Sequence, residues 1–230
     1  RQPGLPFQEY GDTDHLVPEL QRDKDRFYRI PVGGRPMGIQ FGSKNHIVYV
    51  TNYLQDSIQI VDLDKRQLVG QIALAKTPEL TAVRRGEVIF HDAQRSLDQW
   101  YSCHSCHYEG GINSERMDTF NDGTAFTFKT VLPLYSIEQT APWTWHGWQK
   151  DLSAAMRKSI TSTMLGKEPT DQDVTDLLAY VKTLQPPPNP FRQADGSLSP
   201  AAKRGEVVFQ SDQAGCASCH KGPHFTDGEI

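Results

Sequence analysis

"RRGEVIFHDAQRSLDQWYSCHSCH", residues 84 to 107, joins an amphipathic lead-in to two cysteines and two histidines, and its interpretation decides the fold of most of the chain. The pattern returns as "KRGEVVFQSDQAGCASCH" at residues 203 to 220. Both copies run Arg-Gly-Glu-Val-(Ile or Val)-Phe and then Cys-x-x-Cys-His. Two copies so far apart imply a duplicated domain, not a short-period solenoid. The first copy carries a longer loop, which holds Trp100.

All four cysteines lie in these two frames, Cys103-His104-Ser105-Cys106-His107 and Cys216-Ala217-Ser218-Cys219-His220. Cys-x-x-Cys-His is the attachment signature of c-type haem. Two thiols add across the vinyl groups of one porphyrin edge, and the turn presents the next residue to the iron. Three alternatives compete. Four thiolates, or three with one histidine, suit zinc. A redox-active Cys-x-x-Cys belongs in a thioredoxin-like βαβ setting, which is absent. Disulfides closing such small loops stabilise little. The repeated histidine favours two covalent haem c groups. Cys103, Cys106 and His107 would bind one, Cys216, Cys219 and His220 the other, with His107 and His220 as iron ligands. His104 does not recur and is expected to be a solvated loop residue. Haem is attached outside the cytoplasm in most bacteria, so a periplasmic or other extracytoplasmic location is expected.

The 230 residues, 37% hydrophobic and 23% charged, have the composition of folded domains. A net charge of -4 offers no basic field for nucleic acid, and no apolar run approaches the ~20 residues of a membrane-spanning helix. The absence of an initiating methionine and the ending "GPHFTDGEI" lead to the expectation of a fragment of a longer polypeptide.

Residues 28 to 75 read as four short strands, "RPMGIQF", "HIVYVTNY", "SIQIVDLD" and "QLVGQIAL", separated by turn-forming residues. This is the size of one propeller blade, whose faces need neighbours; a small antiparallel sheet packed on the following helices is the alternative. Val32 to Leu74 resembles the YVTN family of β-propeller repeats, and "FYRIPVGG" (27–34) would close a preceding blade. The resemblance implies a propeller largely outside these residues.

From Pro78 the period becomes helical. In "PELTAVRRGEVIF", Leu80, Val83, Val88 and Phe90 form the expected apolar face. "DLSAAMRKSITSTML" opens on an Asp cap with a stripe of Leu152, Ala155, Met156, Ile160 and Met164. "TDQDVTDLLAYVKTL" opens on a Thr cap and presents Val174, Leu177, Leu178, Val181 and Leu184, before "QPPPNPF" stops the helix. The expected fold is therefore mixed and multi-domain: a partial propeller (1–76, one four-stranded antiparallel blade), a first mostly α cytochrome c-like domain (77–189) and the start of a second (190–230).

"APWTWHGWQKDLSAAMRKSITSTMLG" packs Trp143, Trp145 and Trp148 into six residues. From about residue 79 the chain resembles the bacterial di-haem cytochrome c peroxidase and MauG family, and more closely a subgroup in which that module follows a YVTN propeller. Trp145-His146-Gly147 matches the family's Trp-Asp-Gly frame, with His146 replacing Asp. The resemblance implies that Trp145 mediates electron transfer between the haems. It further implies that peroxide is reduced at the haem on His107, with electrons arriving through the haem on His220 from a small redox protein or other donor. Trp145 and His146 are the candidate catalytic residues. The family's acid/base glutamate corresponds to Thr163, so His146 or Glu168 would have to substitute. Candidates for the distal ligand are His146, His91, Met117 and Met164. Pure electron transfer, or MauG-like oxidation of a protein or organic substrate, is the alternative function.

Overall fold

The computed structural model describes residue 25 and residues 28–76, 79–119 and 122–229. It divides into two compact units, Arg1–Pro78 and Glu79–Ile230.

The first unit is a four-stranded antiparallel sheet: β1 (Pro36–Phe41), β2 (Ile47–Asn52), β3 (Ser57–Asp62) and β4 (Gln67–Ala73), in the order β1-β2-β3-β4. The strands fall on the β-branched runs picked out from sequence, and short turns fix their pairing. Asp62 closes the β3–β4 turn by accepting the Lys65 amide at 3.0 Å. In β2 alternate residues point inward, so Val48, Val50 and Asn52 are buried while Tyr49 and Thr51 are exposed. Val48 faces Val61 across the β2–β3 ladder, and with Val50 they form a small core joined by Ile30 and Leu63. Strand β1 stays exposed throughout, with Ile39 73% and Met37 61% accessible. The residues expected to close a preceding blade form no strand over 28–34, and Phe27 lies outside the described residues.

The second unit is built on α1 (Ala82–His91) and α4 (Asp171–Val181). Thr81 caps α1, its Oγ1 accepting the Arg84 amide at 3.2 Å. Thr170 and Asp173 form a reciprocal capping box at the start of α4. The helices cross at Gly86, where a β-carbon would collide with the backbone of Asp176. Beside the crossing, Arg85 Nε and Nη2 donate to the two carboxylate oxygens of Asp176, each at 2.7 Å. This contact turns Ile89 and Phe90 into a core with Ile137, Ile160, Met164, Leu177 and Val181. The face expected from apolar periodicity is corrected here: of Leu80, Val83, Val88 and Phe90 only Phe90 is buried. The physical reason is that the contact face centres on Gly86, which carries no side chain to register in an apolar pattern.

Helix α3 (Leu152–Lys158) is capped by Asp151, which accepts the Ser153 and Ala154 amides, and it continues into a π-helical turn at Ser159–Thr163. Between α2 (Cys103–Cys106) and α3 the chain is irregular, apart from short 3₁₀ turns and a two-residue ladder of β5 (Arg116–Met117) with β6 (Lys129–Thr130). The purely helical expectation after Pro78 misses this ladder. The second sequence copy forms α5 (Pro200–Phe209) and α6 (Cys216–Cys219), neither with a buried residue. No helix among the described residues is long and apolar enough to cross a membrane.

Candidate functional site

Each Cys-x-x-Cys-His segment folds as one helical turn. In the first, the Ser102 amide donates to Ser105 Oγ at 3.1 Å, and the His107 amide closes on the Cys103 carbonyl at 2.9 Å. The second repeats that closure, His220 to Cys216, at 2.9 Å. Both turns therefore put the histidine directly after two cysteines spaced by one turn. All four cysteines are free thiols. The pairs do not converge: the only cluster of three or more metal-ligating groups among the described residues is His46, Asp62 and Asp64 in the first unit. The shared four-ligand zinc site entertained from sequence is not assembled.

Cys103, Cys106 and His107 instead line a cavity of about 430 Å³. Its apolar wall includes Phe90, Leu132, Leu134, Met156, Met164, Leu177 and Val181, several of them from the core where α1 meets α4. Its polar wall holds Tyr101, Thr119, Asp122, Lys129, His146 and Thr163. Burial raises both thiols, Cys103 to about 12. Burial also lowers His107 to about 4, against the opposing effect of the nearby backbone of Leu132 and Gly111, so its imidazole is neutral at pH 7. Its Nδ1 is buried without a hydrogen-bond partner. Buried polar atoms are seldom left unsatisfied. Neutral thiols one turn apart, a neutral imidazole next to them and an apolar slot beside all three fit a haem bound through its edge and its iron.

The tryptophans differ in setting. Trp143 packs on the core and donates Nε1–H to the Ile137 carbonyl at 2.7 Å. Trp145 is 51% exposed at the cavity rim and donates to the Thr130 carbonyl at 2.7 Å. Trp148 carries Lys158 Nζ over its ring at 3.9 Å. Each has a polar or cationic neighbour for its amphipathic ring.

Of the distal candidates, His146 and Met164 line the cavity. His91 does not: its Nδ1 lies 2.8 Å from the Glu87 carbonyl and its ring packs 4.7 Å from that of His104. Met117 Sδ lies against Cys106 Sγ at 3.2 Å, outside the cavity lining. His104 is packed where a solvated residue was expected: its side chain is 21% exposed and Nε2 sits 3.1 Å from Glu109 Oε1. Thr163 does line the cavity, its hydroxyl donating to the Thr119 carbonyl at 3.2 Å. Glu168 does not, being held by Arg157 at 2.9 Å.

Sequence inspection missed Tyr101, Asp122 and Lys129. The Tyr101 hydroxyl donates to the Thr163 carbonyl at 2.5 Å, and burial raises its pKa. Asp122 accepts from Lys129 Nζ and Thr127 Oγ1, each at 2.8 Å, and from the Thr124 amide at 3.1 Å. The Lys129 ammonium and these donors hold its carboxyl far below the usual range. "NDGT" is a turn-forming run, but nothing local places it beside the cysteines.

The second motif is open. His220 Nδ1 lies 3.0 Å from the Phe225 carbonyl, a contact that orients its ring. Cys219 and His220 are exposed.

No family model matches the chain. Over 151 residues it is 30% identical to hydrazine synthase subunit gamma of Kuenenia stuttgartiensis, covering 61% of this chain and 42% of that protein. Among solved structures it resembles Kuenenia stuttgartiensis hydrazine synthase pressurised with 20 bar xenon, with TM-score 0.58 and 26% identity over 67% of this chain and 54% of that one. A MauG-like protein associated with microbial copper homeostasis aligns with TM-score 0.49 and 16% identity over 69% of this chain and 55% of that one. The chain thus spans about half the length of the proteins it matches.

Proposed function

We propose that the second unit is a di-haem c-type redox module, with one haem joined through Cys103 and Cys106 and ligated by His107, and the other joined through Cys216 and Cys219 and ligated by His220. The observation that carries this reading is the largely apolar cavity lined together by Cys103, Cys106 and the neutral imidazole of His107. The similarity to a hydrazine synthase subunit supports a place among redox enzymes. Such a group, when bound, supplies reversible one-electron chemistry.

The chain's own residues then bind, orient and transfer. Cys103 and Cys106 fix the edge of the group, and His107 keeps a free lone pair because its burial opposes protonation. Trp145, held at the rim by the Thr130 carbonyl, is the relay residue. The His220 site would take electrons from a small redox donor outside the cytoplasm, and the His107 site would supply the chemistry that reduces one hydrogen peroxide, with two electrons and two protons, to two waters. His146 is the proton carrier at the rim, since Glu168 is tied to Arg157 away from the cavity.

A second reading is favoured by Thr163, which brings no acid into the wall: the module transfers electrons only, or oxidises a protein or organic substrate as a subunit of a larger enzyme. The sheet of the first unit is one blade of a propeller, residues 1–76. Residues 77–189 form the first haem domain and 190–230 begin the second, with further parts of the polypeptide completing both assemblies.

Maturation in a host that attaches haem c tests the proposal. We expect a c-type absorption spectrum and two covalent haems, one lost in C103S/C106S and the other in C216S/C219S; zinc bound to free thiols sinks the assignment. A half-reduced form that reacts with peroxide supports the first reading, and an inert one leaves the second.

A further inference from the structure

The wall of the cavity at Cys103, Cys106 and His107 carries two hydrogen-bond donors that no described residue uses. Thr144 lines the cavity, and its Oγ1 is enclosed from solvent without a partner among the described residues. Its backbone is held at φ 76°, and among the described residues it is the only β-branched one in the left-handed region. That conformation is an outlier for a branched side chain and suits glycine or asparagine better. The surrounding loop enforces it: Trp143 and Gln149 exchange backbone hydrogen bonds at 2.9 and 3.3 Å, and the Gly147 amide returns to the Thr144 carbonyl at 3.2 Å. A strained residue with an enclosed, unused hydroxyl points to a use for that hydroxyl.

The second donor is Lys129, the only lysine or arginine among the described residues of the wall. Its ammonium has three N–H groups. Two donate, to Asp122 Oδ2 at 2.8 Å and to the Thr127 carbonyl at 3.0 Å, and the third has no partner among the described residues. Asp122 is itself saturated, since Thr124 donates its amide and hydroxyl to Oδ1 while Thr127 and Lys129 donate to Oδ2. It holds Lys129 in place. The hydroxyls of Tyr101, Thr140 and Thr163, also on the wall, already donate to backbone carbonyls. The Trp145 indole, bonded to the Thr130 carbonyl at 2.7 Å, ties the residue after Thr144 to the residue after Lys129.

We propose that Thr144 and Lys129 form a carboxylate-binding subsite whose ligand is a propionate of the haem joined at Cys103 and Cys106. A hydroxyl and an ammonium N–H together suit a charged acceptor. An ionised carboxylate entering a largely apolar slot needs such donors, because burying it unpaired is costly. Haem carries two propionates, on the edge away from the vinyl groups that the cysteines engage. The subsite rests on the haem reading. A free small carboxylate has the same chemistry, and the test separates the two sources.

The test uses the haem-loaded chain carrying C216S/C219S, so that the first haem alone is observed. Resonance Raman spectroscopy reads the bending modes of its propionates, which follow their hydrogen bonding. Thr144→Val keeps the branched shape and deletes the hydroxyl, Thr144→Ser keeps the hydroxyl, and Lys129→Met deletes the ammonium. A shift of the bending mode to lower frequency is expected in Thr144→Val and in Lys129→Met, with Thr144→Ser at the parental position. Should Thr144→Val not mature, Thr144→Gly, which the backbone accepts without strain, takes its place. An unchanged mode in either deletion overturns the inference. So does acetate that binds the loaded parent, is lost in Thr144→Val and leaves the propionate modes unmoved, because the ligand is then a free carboxylate. Haem content by absorption tells the failures apart: full covalent haem with unmoved modes refutes the subsite alone, whereas a parent without haem refutes the reading beneath it and the subsite together.

Discussion

Gly86→Ala puts one methyl group into the closest helix contact of the second unit. The new β-carbon overlaps the Asp176 carbonyl oxygen and lies 2.6 Å from the carbonyl carbon and 2.8 Å from Tyr180 Cβ. Two of these three atoms are backbone, so no rotamer change relieves the overlap and α1 and α4 must move apart. Overpacking of this kind costs about 1–3 kcal/mol, or more where backbone must shift, while the replaced glycine returns up to about 1 kcal/mol of helix propensity. The net expectation is a loss of about 1–2 kcal/mol, or about 3–6 °C in melting temperature. Urea unfolding followed by circular dichroism measures it, with Gly205→Ala as the internal control: its site is open, so that variant should gain up to about 1 kcal/mol in the 230-residue chain. Because Phe90, Leu177 and Val181 also line the cavity, Gly86→Ala should disturb its walls as well. A Gly86→Ala protein as stable as its parent, or equal shifts of the same sign at both glycines, refutes the close crossing and the packing drawn from it.

Asp122→Asn should destabilise the chain at pH 7, and by a smaller amount at pH 3. The folded carboxyl is depressed below the unfolded value of about 3.9, so its contribution is present above that value and lost as pH falls through the folded pKa; parallel unfolding curves at the two pH values check it, and a pH-independent gap counts against the Lys129 pairing. In the haem-free chain at pH 8, Cys103 should be alkylated at least about tenfold more slowly than the exposed Cys219, because burial pushes its thiol up to about 12; mass spectrometry of iodoacetamide-treated protein reads this, and equal rates contradict the enclosed site. Trp145→Phe removes one partly exposed hydrogen bond, worth about 0.5–1.5 kcal/mol, and should slow electron transfer between the haems while both stay attached. An unchanged rate in stopped-flow reduction removes its relay role.

The strands were legible because their signal is local: in β2 and β3 β-branched residues recur within a few positions, and turn residues separate the runs. The caps Thr81, Asp151 and Thr170 are local too, and the last two can be read directly from the residues that follow them. The Cys-x-x-Cys-His turns were legible for the same reason. What escaped notice depends on distant partners. The α1 contact face is set by Asp176 and Tyr180, far along the chain. The polar wall of the cavity comes from Asp122 and Lys129, which sequence alone does not bring to the cysteines, and the unsuitability of Glu168 as an acid follows from Arg157.

The π turn at Ser159–Thr163 has a consequence for how this wall is compared with others. One extra residue in a helical turn rotates everything after it by about 100° around the axis without moving the helix ends much. Met164 reaches the core and Thr163 the cavity on that rotated frame. A counterpart with a regular α-helix here would present a different pair of side chains at the same numbered positions. Chemistry matched across this segment by residue count alone is therefore out of step by one, and shortening the turn by a single residue should exchange the wall-facing group without rebuilding the helix.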